Sequence, residues 1–402
     1  MTTCLLLLPA LAASGPDSPA NAAYDQVVGT LLRDWGAPCG ALAVAREGRL
    51  VVARGYGPAE PDGRGAVRPT TLFRIASISK PITALAIHKL VAQGRLRLDD
   101  KVCDRLADRL PPSGPADARW RAITVRHLLR HSGGWDSAAS FDPMFRPAEI
   151  AAATRTPAPA SAEAIVRHMF GQPLQFDPGT RTAYSNFGYC VLGRIIERVS
   201  GRRYEDYVRE AVLVPAGAGA MRLGRTAGLA RAPGEGWYAM PPAAALVRSV
   251  FPDEPGLVAS PYGGFHLEAM DAHGGWLASP VDLVRCALRY DGRAQPPDLL
   301  DVAALLAPPL LPLPQAPGAF QGDGWVVRPV GADANWWHGG SLPGTSSILV
   351  RSHHGFVWAA VANFRPADRS LWQALDAAMW EALAKVEAWP AEEVVVGDGS
   401  RR

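Results

Sequence analysis

Residues 73–90 read FRIASISKPITALAIHKL, and the rest of the chain is organised around this stretch. Ser77 and Lys80 stand three positions apart, so a helix would place both on one face, one turn from each other. Pro81 suits the first turn of such a helix, where a missing N–H breaks no intrahelical hydrogen bond. Because a desolvated neutral lysine can accept the proton of a hydroxyl, the spacing predicts a helix that opens on an activated serine.

Lysine is rare in this chain, which makes its presence beside Ser77 informative. The sequence contains four lysines, and its other permanently cationic side chains are arginines. Arginine keeps its proton in a protein, whereas a buried lysine can lose it. A Ser-x-x-Lys match arises about once by chance in a chain of this length, but the retained lysine indicates a chemical requirement. We therefore predict that Ser77 is a nucleophile and that Lys80 assists it.

Tyr184-Ser185-Asn186 is the second candidate motif. It lies in a turn-rich approach to a helix and holds the only Tyr-x-Asn combination in the sequence. A tyrosine near a lysine can pass a proton between phenol and phenolate, and an asparagine beside it can orient that lysine or a substrate amide. A structural tyrosine next to a helix-capping asparagine is the alternative. We predict that Tyr184 is catalytic and that Asn186 binds substrate or Lys80.

His338-Gly339-Gly340-Ser341 is the third candidate motif and lies at the end of a predicted strand. Two glycines at a strand edge would let a substrate approach and pair with the backbone. The backbone N–H groups of Ser341 and Ser77 can together stabilise an oxyanion. Taken alone, a histidine such as His338 is more often structural or on the surface. We predict that this motif forms the substrate-binding side of the site.

The pattern of strands and helices predicts two interwoven domains. Short β-rich runs occur towards both ends of the chain, at Gly40–Ala45, Leu50–Gly55, Gly324–Arg328, Asn335–His338, Ser346–Arg351 and Phe356–Asn363. Helical periodicity dominates the middle and also flanks the strands, at Ala22–Trp35 and Arg369–Val386. Distant segments would therefore complete one sheet. We assign residues 22–75 and 320–390 to the sheet domain, and residues 76–319 to a mainly helical domain with long loops.

The two ends of the chain predict a leader and a tail. Residues 4–13 are an apolar run followed by small residues, which resembles a secretory signal cleaved near Ala13 or after Ala22. We mark residues 1–20 as a candidate signal peptide, although the positively charged start of such signals is missing. The sequence favours export to the periplasm or the medium, with a cytoplasmic location as the alternative. Residues 391–402 are expected to form a loose tail.

Composition argues against several classes of function. The net charge is +3 with both signs interspersed, so we expect no nucleic-acid partner. No apolar run is long enough for a membrane span. The five cysteines are scattered, and no histidine or cysteine spacing suits zinc, so we predict no metal and no cofactor. Buried free thiols are favoured for the cysteines, and a disulfide among the last four stays open.

The three motifs, in this order, resemble those of the serine β-lactamase and penicillin-binding-protein superfamily. Its three signatures are matched by Ser77–Lys80, Tyr184–Asn186 and His338–Gly340, and the connecting stretch 176–193 is similar too. The branch that the sequence resembles most is that of hydrolases related to class C β-lactamases, which includes D,D-peptidases and β-lactamase-like esterases. The resemblance covers residues 22–363.

This resemblance implies an α+β fold, in which an antiparallel sheet flanked by N- and C-terminal helices carries an inserted all-helical domain. The site would lie in the cleft between them. The resemblance also implies that an ester or amide substrate, either a small molecule or a peptide, acylates Ser77. Lys80 would assist deprotonation, and Tyr184 would be its partner base and later the acid. Which of the two first accepts the proton stays open.

The function that the resemblance implies is that of a serine hydrolase. An acyltransferase with the same nucleophile and a penicillin-binding protein without turnover are the alternatives. The third motif departs from the Lys-Thr-Gly of most β-lactamases, because His338 replaces the lysine that grips a β-lactam carboxylate. Its unperturbed pKa of about 6.5 would leave it mostly neutral at pH 7. We therefore expect esters to be turned over faster than penicillins or cephalosporins.

Two further stretches are candidates for the border of the cleft. Trp336 and Trp337 precede the third motif, and at least one of them is expected to face the cleft. The stretch Pro261–Trp276 combines polar residues, aromatic residues and four glycines between loops. We interpret it as a border that shapes specificity, with a structural turn as the alternative.

Overall fold

A nine-stranded antiparallel sheet forms the centre of a computed structural model that describes residues 13–112, 114–226, 231–242, 244–306, 310–313 and 315–396. The strands of the described residues are β1 (Ala13–Ser14), β2 (Gly40–Arg46), β3 (Arg49–Tyr56), β4 (Phe73–Arg74), β5 (Arg222–Leu223), β6 (Val247–Arg248), β7 (Leu257–Val258), β8 (Trp276–Ala278), β9 (Leu311–Pro312), β10 (Phe320–Gln321), β11 (Val326–Val330), β12 (Asp333–Leu342), β13 (Thr345–Arg351) and β14 (Phe356–Ala362). Strands β4, β8 and β5 form a separate small sheet, β6 pairs with β7, and the other strands form the large sheet. The order in the sheet is β1-β3-β2-β14-β13-β12-β11-β10-β9. Distant segments therefore complete one sheet, as the strand pattern predicted.

Helices cover both faces of this sheet. They are α1 (Asn21–Asp34), α2 (Ser79–Ala92), α3 (Val102–Arg105), α4 (Val125–Leu129), α5 (Pro147–Thr154), α6 (Ala162–Met169), α7 (Asn186–Ser200), α8 (Tyr204–Val208), α9 (Pro280–Leu288) and α10 (Leu371–Ala384). The N- and C-terminal helices α1 and α10 share one face, where Leu32 and Met379 pack into a core with Trp358 of β14. This arrangement confirms the expected α+β fold.

The other face of the sheet meets α9 and the helices of the middle region. Strand β14 lies between β2 and β13, and all seven of its residues are buried, which explains why the strand is almost wholly apolar. Helix α2 runs inside this second core, and even its polar residues Thr83 and His88 are at most 2% exposed. A helix covered on all sides needs no polar face. Its first turn can therefore carry a buried functional group.

Residues 13–20 belong to the fold. Strand β1 pairs with β3, and the Ser18 hydroxyl donates a hydrogen bond to the backbone oxygen of Val51 at 3.1 Å. Cleavage after Ala22 would remove these contacts, whereas cleavage near Ala13 would leave most of them in place. Residues 1–12, which hold most of the predicted leader, lie outside the described residues.

The predicted tail differs from expectation in its first half. The backbone N–H of Val394 donates to the backbone oxygen of Leu50 at 2.8 Å, and the Arg49 guanidinium donates to that of Ala391 at 2.6 Å. These two hydrogen bonds anchor residues 391–396 to the start of β3. Residues 397–402 lie outside the described part of the chain.

The cysteines follow the favoured expectation. Cys39, Cys103, Cys190 and Cys286 are each buried, and none of them forms a disulfide with another described residue. Burial raises the pKa of the Cys190 and Cys286 thiols, so these groups stay protonated. Their contribution is therefore apolar packing.

Candidate active site

A strained turn presents Ser77 to the cleft. The 3₁₀ turn Ala76–Ile78 joins β4 to α2, and the backbone N–H of Ile75 donates to the backbone oxygen of Trp276 at 3.1 Å, which fixes the approach. Ala76 has a φ of +48°, in the left-handed region that residues with a Cβ rarely adopt. Ala76 and Ile78 are buried, while Ser77 between them stays partly exposed.

Lys80 lies one turn after Ser77 and has no exposed surface. Its Nζ is 3.0 Å from Ser77 Oγ, 2.8 Å from Asn186 Oδ1 and 3.0 Å from the backbone oxygen of His273. Burial lowers the pKa of Lys80 well below 10.5, although the Asp142 carboxylate acts in the opposite direction. The amine is therefore predisposed to be neutral, which is the form that can take a proton from a hydroxyl.

Tyr184 approaches Ser77 from the other side. Its hydroxyl donates to Ser77 Oγ at 2.7 Å, and the Lys80 Nζ lies 4.7 Å from the centre of its ring. Although 41% of Tyr184 is exposed, desolvation raises the pKa of its hydroxyl above the usual 10. Tyr184 thus carries its proton at neutral pH. The structure thus places both Lys80 and Tyr184 within hydrogen-bond distance of Ser77 Oγ.

Asn186 begins helix α7 but does not cap it. The Ser185 hydroxyl is the cap, since it accepts a hydrogen bond from the backbone N–H of Gly188 at 3.2 Å. The Asn186 amide is left to enter the site, where Oδ1 accepts from Lys80 and Nδ2 donates to Asp142 Oδ2 at 2.6 Å. The amide thereby bridges a lysine and a carboxylate.

The sequence alone did not single out Asp142. It lies before Pro143, and its Oδ1 accepts a hydrogen bond from the backbone N–H of Met144 at 3.0 Å. Burial raises the pKa of this carboxyl, while the Asn186 amide and Lys80 act the other way. An aspartate before a proline is a common turn signal, so its local sequence gives no sign of a second role.

The third motif lies on an open strand edge. Strand β11 pairs with residues Asp333 to Trp337 of β12. At this end the pairing stops at Val326, which lies opposite Trp337, so His338 and the following residues of β12 have no partner on β11. A Cβ atom at Gly340 would come within 2.3 Å of the Ile75 backbone oxygen, so only glycine allows this close approach. Gly339 and Ser341 consequently line the same cavity as the nucleophile.

His338 is buried and neutral. It is 6% exposed, and its Nδ1 lies 2.8 Å from the backbone oxygen of Gly339, which can only accept, so Nδ1 carries the ring proton. Burial lowers the pKa of His338 to about 3, and the nearby Lys80 acts in the same direction. The structure therefore gives this position no positive charge at neutral pH.

Two other histidines contribute to the site without having been predicted. His131 accepts a hydrogen bond from the backbone N–H of Ser185 at 3.1 Å, and its ring lies 4.5 Å from that of Tyr184. Burial lowers the pKa of His131 well below 6.5, so the ring is neutral. His273 acts through its backbone oxygen, which accepts from Lys80. Neither role has a sequence signal, because one depends on ring packing and the other on a carbonyl.

A cavity of about 800 Å³ opens beside Ser77. The walls near the nucleophile are formed by His131, Phe145, Thr182, Tyr184, Asn186, His273 and His338. From the stretch Pro261–Trp276, His273 and Gly274 line this cavity, whereas the Pro261 backbone oxygen accepts from the buried Arg74 at 2.6 Å. One end of the stretch thus borders the cleft, and the other supports the strand that precedes the nucleophile.

A metal-binding cluster and a membrane-spanning helix are both absent from the described residues. Within them, no three histidine, cysteine, aspartate or glutamate side chains are grouped so that they could hold a metal ion. No helix in the same part of the chain is both long and apolar enough to cross a membrane.

Comparison with known sequences matches most of the chain. A profile of the Beta-lactamase family covers residues 24–379. Penicillin-binding protein 4* of Bacillus subtilis (strain 168) is 32% identical over 187 residues, which cover 46% of this chain and 38% of that protein. Esterase EstB of Burkholderia gladioli is 35% identical over 185 residues, which cover 44% of this chain and 45% of that protein. The chain thus spans less than half the length of these curated relatives.

Comparison with solved structures supports the same fold. The crystal structure of the D-amino acid amidase from Ochrobactrum anthropi SV3 complexed with L-phenylalanine amide matches with a TM-score of 0.70. The match covers 91% of this chain and 98% of that chain at 23% sequence identity. The antiparallel sheet with its flanking and inserted helices is common to both.

Proposed function

The chain belongs to the Beta-lactamase family, and we propose that it is a serine hydrolase that cleaves an ester or an amide through an acyl-enzyme on Ser77. The observation that carries the proposal is the position of Ser77 Oγ. It lies 3.0 Å from the Nζ of a fully buried lysine and 2.7 Å from the Tyr184 hydroxyl. A nucleophile flanked by a base and an acid is the arrangement that acyl transfer requires.

Hydrogen-bond counting supports Lys80 as the group that first takes the proton. A neutral amine has two N–H bonds and one lone pair. Asn186 Oδ1 and the His273 backbone oxygen can only accept, so they occupy both N–H bonds. The lone pair is left for the hydroxyl of Ser77. Tyr184, whose pKa is raised, keeps its proton and donates it to the same serine oxygen.

Acylation then proceeds in two balanced steps. The Ser77 proton moves to Lys80 while Oγ forms a bond to the substrate carbonyl carbon, and the carbonyl oxygen becomes an oxyanion. When this intermediate collapses, the bond to the leaving alcohol or amine breaks. The leaving group takes the proton of Tyr184. The acyl-enzyme is left with a lysine ammonium and a tyrosine phenolate, whose opposite charges stabilise each other.

Hydrolysis reverses these proton movements. The Tyr184 phenolate takes a proton from water as the resulting hydroxide attacks the acyl carbon. Collapse of the second tetrahedral intermediate releases Ser77 Oγ, which recovers its proton from Lys80. Both groups return to their starting forms, and none of these steps draws on a cofactor.

The oxyanion is best served by backbone N–H groups. Ser77 and Ser341 line the same cavity, and the glycine at residue 340 allows β12 to approach the turn that carries the nucleophile. We assign the N–H groups of Ser77 and Ser341 to the oxyanion hole. Donors fixed in the backbone need no reorganisation as the charge develops.

The substrate class follows from the wall opposite the nucleophile. His338 is neutral, so this wall offers no charge for the carboxylate of a β-lactam, whereas a neutral ester needs none. Relatives named as an esterase and as a D-amino acid amidase support esters and amides as substrates. We therefore propose esters first and amides second, with β-lactams as poor substrates.

Covalent labelling tests the proposal. A fluorophosphonate probe should add its mass to the peptide that contains Ser77, and p-nitrophenyl acetate should be hydrolysed. The variant Ser77→Ala should lose both the label and the turnover, while Ser140→Ala, at an exposed serine, should keep both. Labelling of Ser77→Ala at the wild-type level would show that the nucleophile lies elsewhere.

A further inference from the structure

The cavity beside the nucleophile continues past the edge of β12 into a groove beneath helix α10. The sheet residues that line this groove share one face, because Trp337 is paired in register with Val326 on β11 and with Val350 on β13. Gly339 opens the passage. A Cβ atom there would come within 2.6 Å of the Trp372 indole, so the strand and the helix can approach closely only at a glycine.

Helix α10 forms the opposite wall with one stripe of side chains. Trp372, Asp376 and Trp380 follow each other at intervals of four residues and therefore share a face of the helix. All three line the cavity and are only partly buried. Together with Trp337, the groove surrounds one carboxylate with three indole rings. We call it the tryptophan groove.

The carboxylate of Asp376 lacks a full set of partners. Its Oδ1 is buried without a well-formed hydrogen bond, and the Trp358 indole is the side chain that acts on the carboxyl as a donor. Burial raises the pKa of this carboxyl to about 6, although the Trp358 indole and the Arg328 guanidinium act the other way. A partly buried carboxylate without a cation in contact is costly, so a cation that enters the groove would be bound favourably.

We propose that the tryptophan groove binds a cationic group of the substrate, an alkylammonium, with Asp376 as its counter-ion. Ring quadrupoles attract cations to the indole faces, and a partly desolvated carboxylate attracts them directly. A neutral apolar group would contact the rings but would leave the Asp376 carboxylate without a counter-charge. The inference rests on the proposed function, since it narrows the substrate to an ester or amide that carries a basic amine.

Arg328 allows a second, independent test of the proposal. It is the one arginine or lysine that lines the cavity in the described part of the chain, and its guanidinium lies 5.2 Å from the centre of the Trp337 ring. It is exposed, and it forms no ion pair with Asp376 within 4.0 Å. Its positive charge at the rim opposes the entry of another cation. Removal of that charge should therefore strengthen cation binding.

Two pairs of esters of equal shape test the proposal on both sides of the scissile bond. On the acyl side, p-nitrophenyl 4-(trimethylammonio)butanoate is compared with p-nitrophenyl 5,5-dimethylhexanoate. On the leaving-group side, acetylcholine is compared with 3,3-dimethylbutyl acetate. Each pair differs only in a quaternary nitrogen against a quaternary carbon. We expect the cationic ester of at least one pair to have a kcat/KM about tenfold higher, mainly through KM.

Variants assign that preference to the groove. Asp376→Asn keeps the shape but removes the charge, and it should reduce the preference to within about twofold. Arg328→Gln should increase it about threefold. Glu381→Gln is the matched control, because Glu381 is a carboxylate on the same helix whose partner is Lys385. It should leave the preference unchanged. Hydrolysis of p-nitrophenyl acetate, which carries no cationic group, checks that each variant is folded and active.

The outcomes separate this inference from the proposed function. Failure to hydrolyse any ester would overturn the serine hydrolase and the groove together. Hydrolysis without preference in either pair would overturn the cation site and leave the hydrolase standing. A preference for the carbon analogues would show that the groove takes a neutral apolar group. A preference for the cation that survives in Asp376→Asn would place the cation elsewhere and would also contradict the proposal.

Discussion

Two buried basic side chains contact or belong to helix α7, and they differ in the charge of their partners. Lys80 meets the first residue of the helix, Asn186, while Arg194 belongs to the helix about two turns further on. Both also contact the segment that leads into β8, Lys80 through a backbone oxygen and Arg194 through the Asp271 carboxylate. Lys80 is 0% exposed and Arg194 is 4% exposed. The two groups are therefore equally removed from water and differ in their partners.

The partners decide the protonation state. Burial acts to lower the pKa of Arg194, but Asp271 and its acidic neighbours outweigh this and raise it above the usual value. The oxygens that contact Lys80 are neutral, and the nearest carboxylate, that of Asp142, is reached through the Asn186 amide. Burial therefore dominates and lowers the pKa of Lys80. Arg194 therefore keeps a permanent charge that stabilises the fold, whereas Lys80 is suited to exchange a proton.

The largest effect is expected where the fixed charge is removed. Arg194→Met leaves Asp271 buried without its partner, which should lower the free energy of unfolding by about 3–5 kcal/mol. Denaturant titration measures this change. Arg203→Met, which breaks an exposed ion pair with Asp206, should cost under about 1 kcal/mol. If Arg194→Met lowered the free energy of unfolding as little as the control does, the charge of Arg194 would not stabilise the fold, and the contrast with Lys80 would fail.

Lys80→Arg tests the other side of the comparison. Arginine keeps a positive charge but cannot give up its proton, so turnover of p-nitrophenyl acetate should fall by about 10²-fold or more. Lys89→Arg is the control, because Lys89 belongs to the same helix and lies outside the site. A Lys80→Arg enzyme with nearly normal kcat would mean that charge alone is needed there.

Asp142→Asn should change the pH dependence. The active form has Lys80 neutral, so kcat/KM should rise with pH through the lowered pKa of this amine. The Asp142 anion raises that pKa, and its removal should therefore move the acid limb to lower pH by about one unit. Glu149→Gln, at an exposed carboxylate shortly after Asp142 in the chain, should leave the limb in place. A shift to higher pH would contradict the assigned sign.

The parts of the site that the sequence predicted are those with a local pattern. Helical spacing around Ser77 and Lys80 predicted the first turn of α2, and short β-rich runs predicted strands that complete the sheet. The three motifs supplied Tyr184 and His338 through the family resemblance. Each of these signals lies within a few neighbouring residues, so a single sequence is sufficient to find it.

The parts that the sequence did not predict depend on contacts between distant residues. Asp142 reaches Asn186 across 44 positions, and an aspartate before a proline is explained by its turn alone. The tryptophan groove joins Trp337 of β12 to Trp372 and Trp380 of α10. One of the two tryptophans before the third motif was expected at the cleft, but which indoles share a cavity follows only from register and helix phase.

The smallest predicted effect concerns His338, which is uncharged at neutral pH. Burial lowers the pKa of His338 to about 3, so the ring stays neutral from pH 8 to pH 5. In the variant Asp376→Asn, which removes a cavity carboxyl whose pKa burial raises to about 6, the ratio of kcat/KM for nitrocefin to that for p-nitrophenyl acetate should therefore stay flat over this range. The wild type should favour the ester. In Asp376→Asn, a ratio that rises on acidification would show that His338 acquires charge in the working enzyme.

His338→Lys sharpens the same point. A lysine at this position would extend towards the cavity and supply the cation that a β-lactam carboxylate needs, so the nitrocefin ratio should rise about threefold. The gain is small because burial, the main cause of the lowered pKa of His338, also penalises an added charge at this position. His338→Gln, which is polar and uncharged, should give no gain. If nitrocefin were already preferred by the wild type and the lysine added nothing, the wall opposite Ser77 would not select substrates by charge.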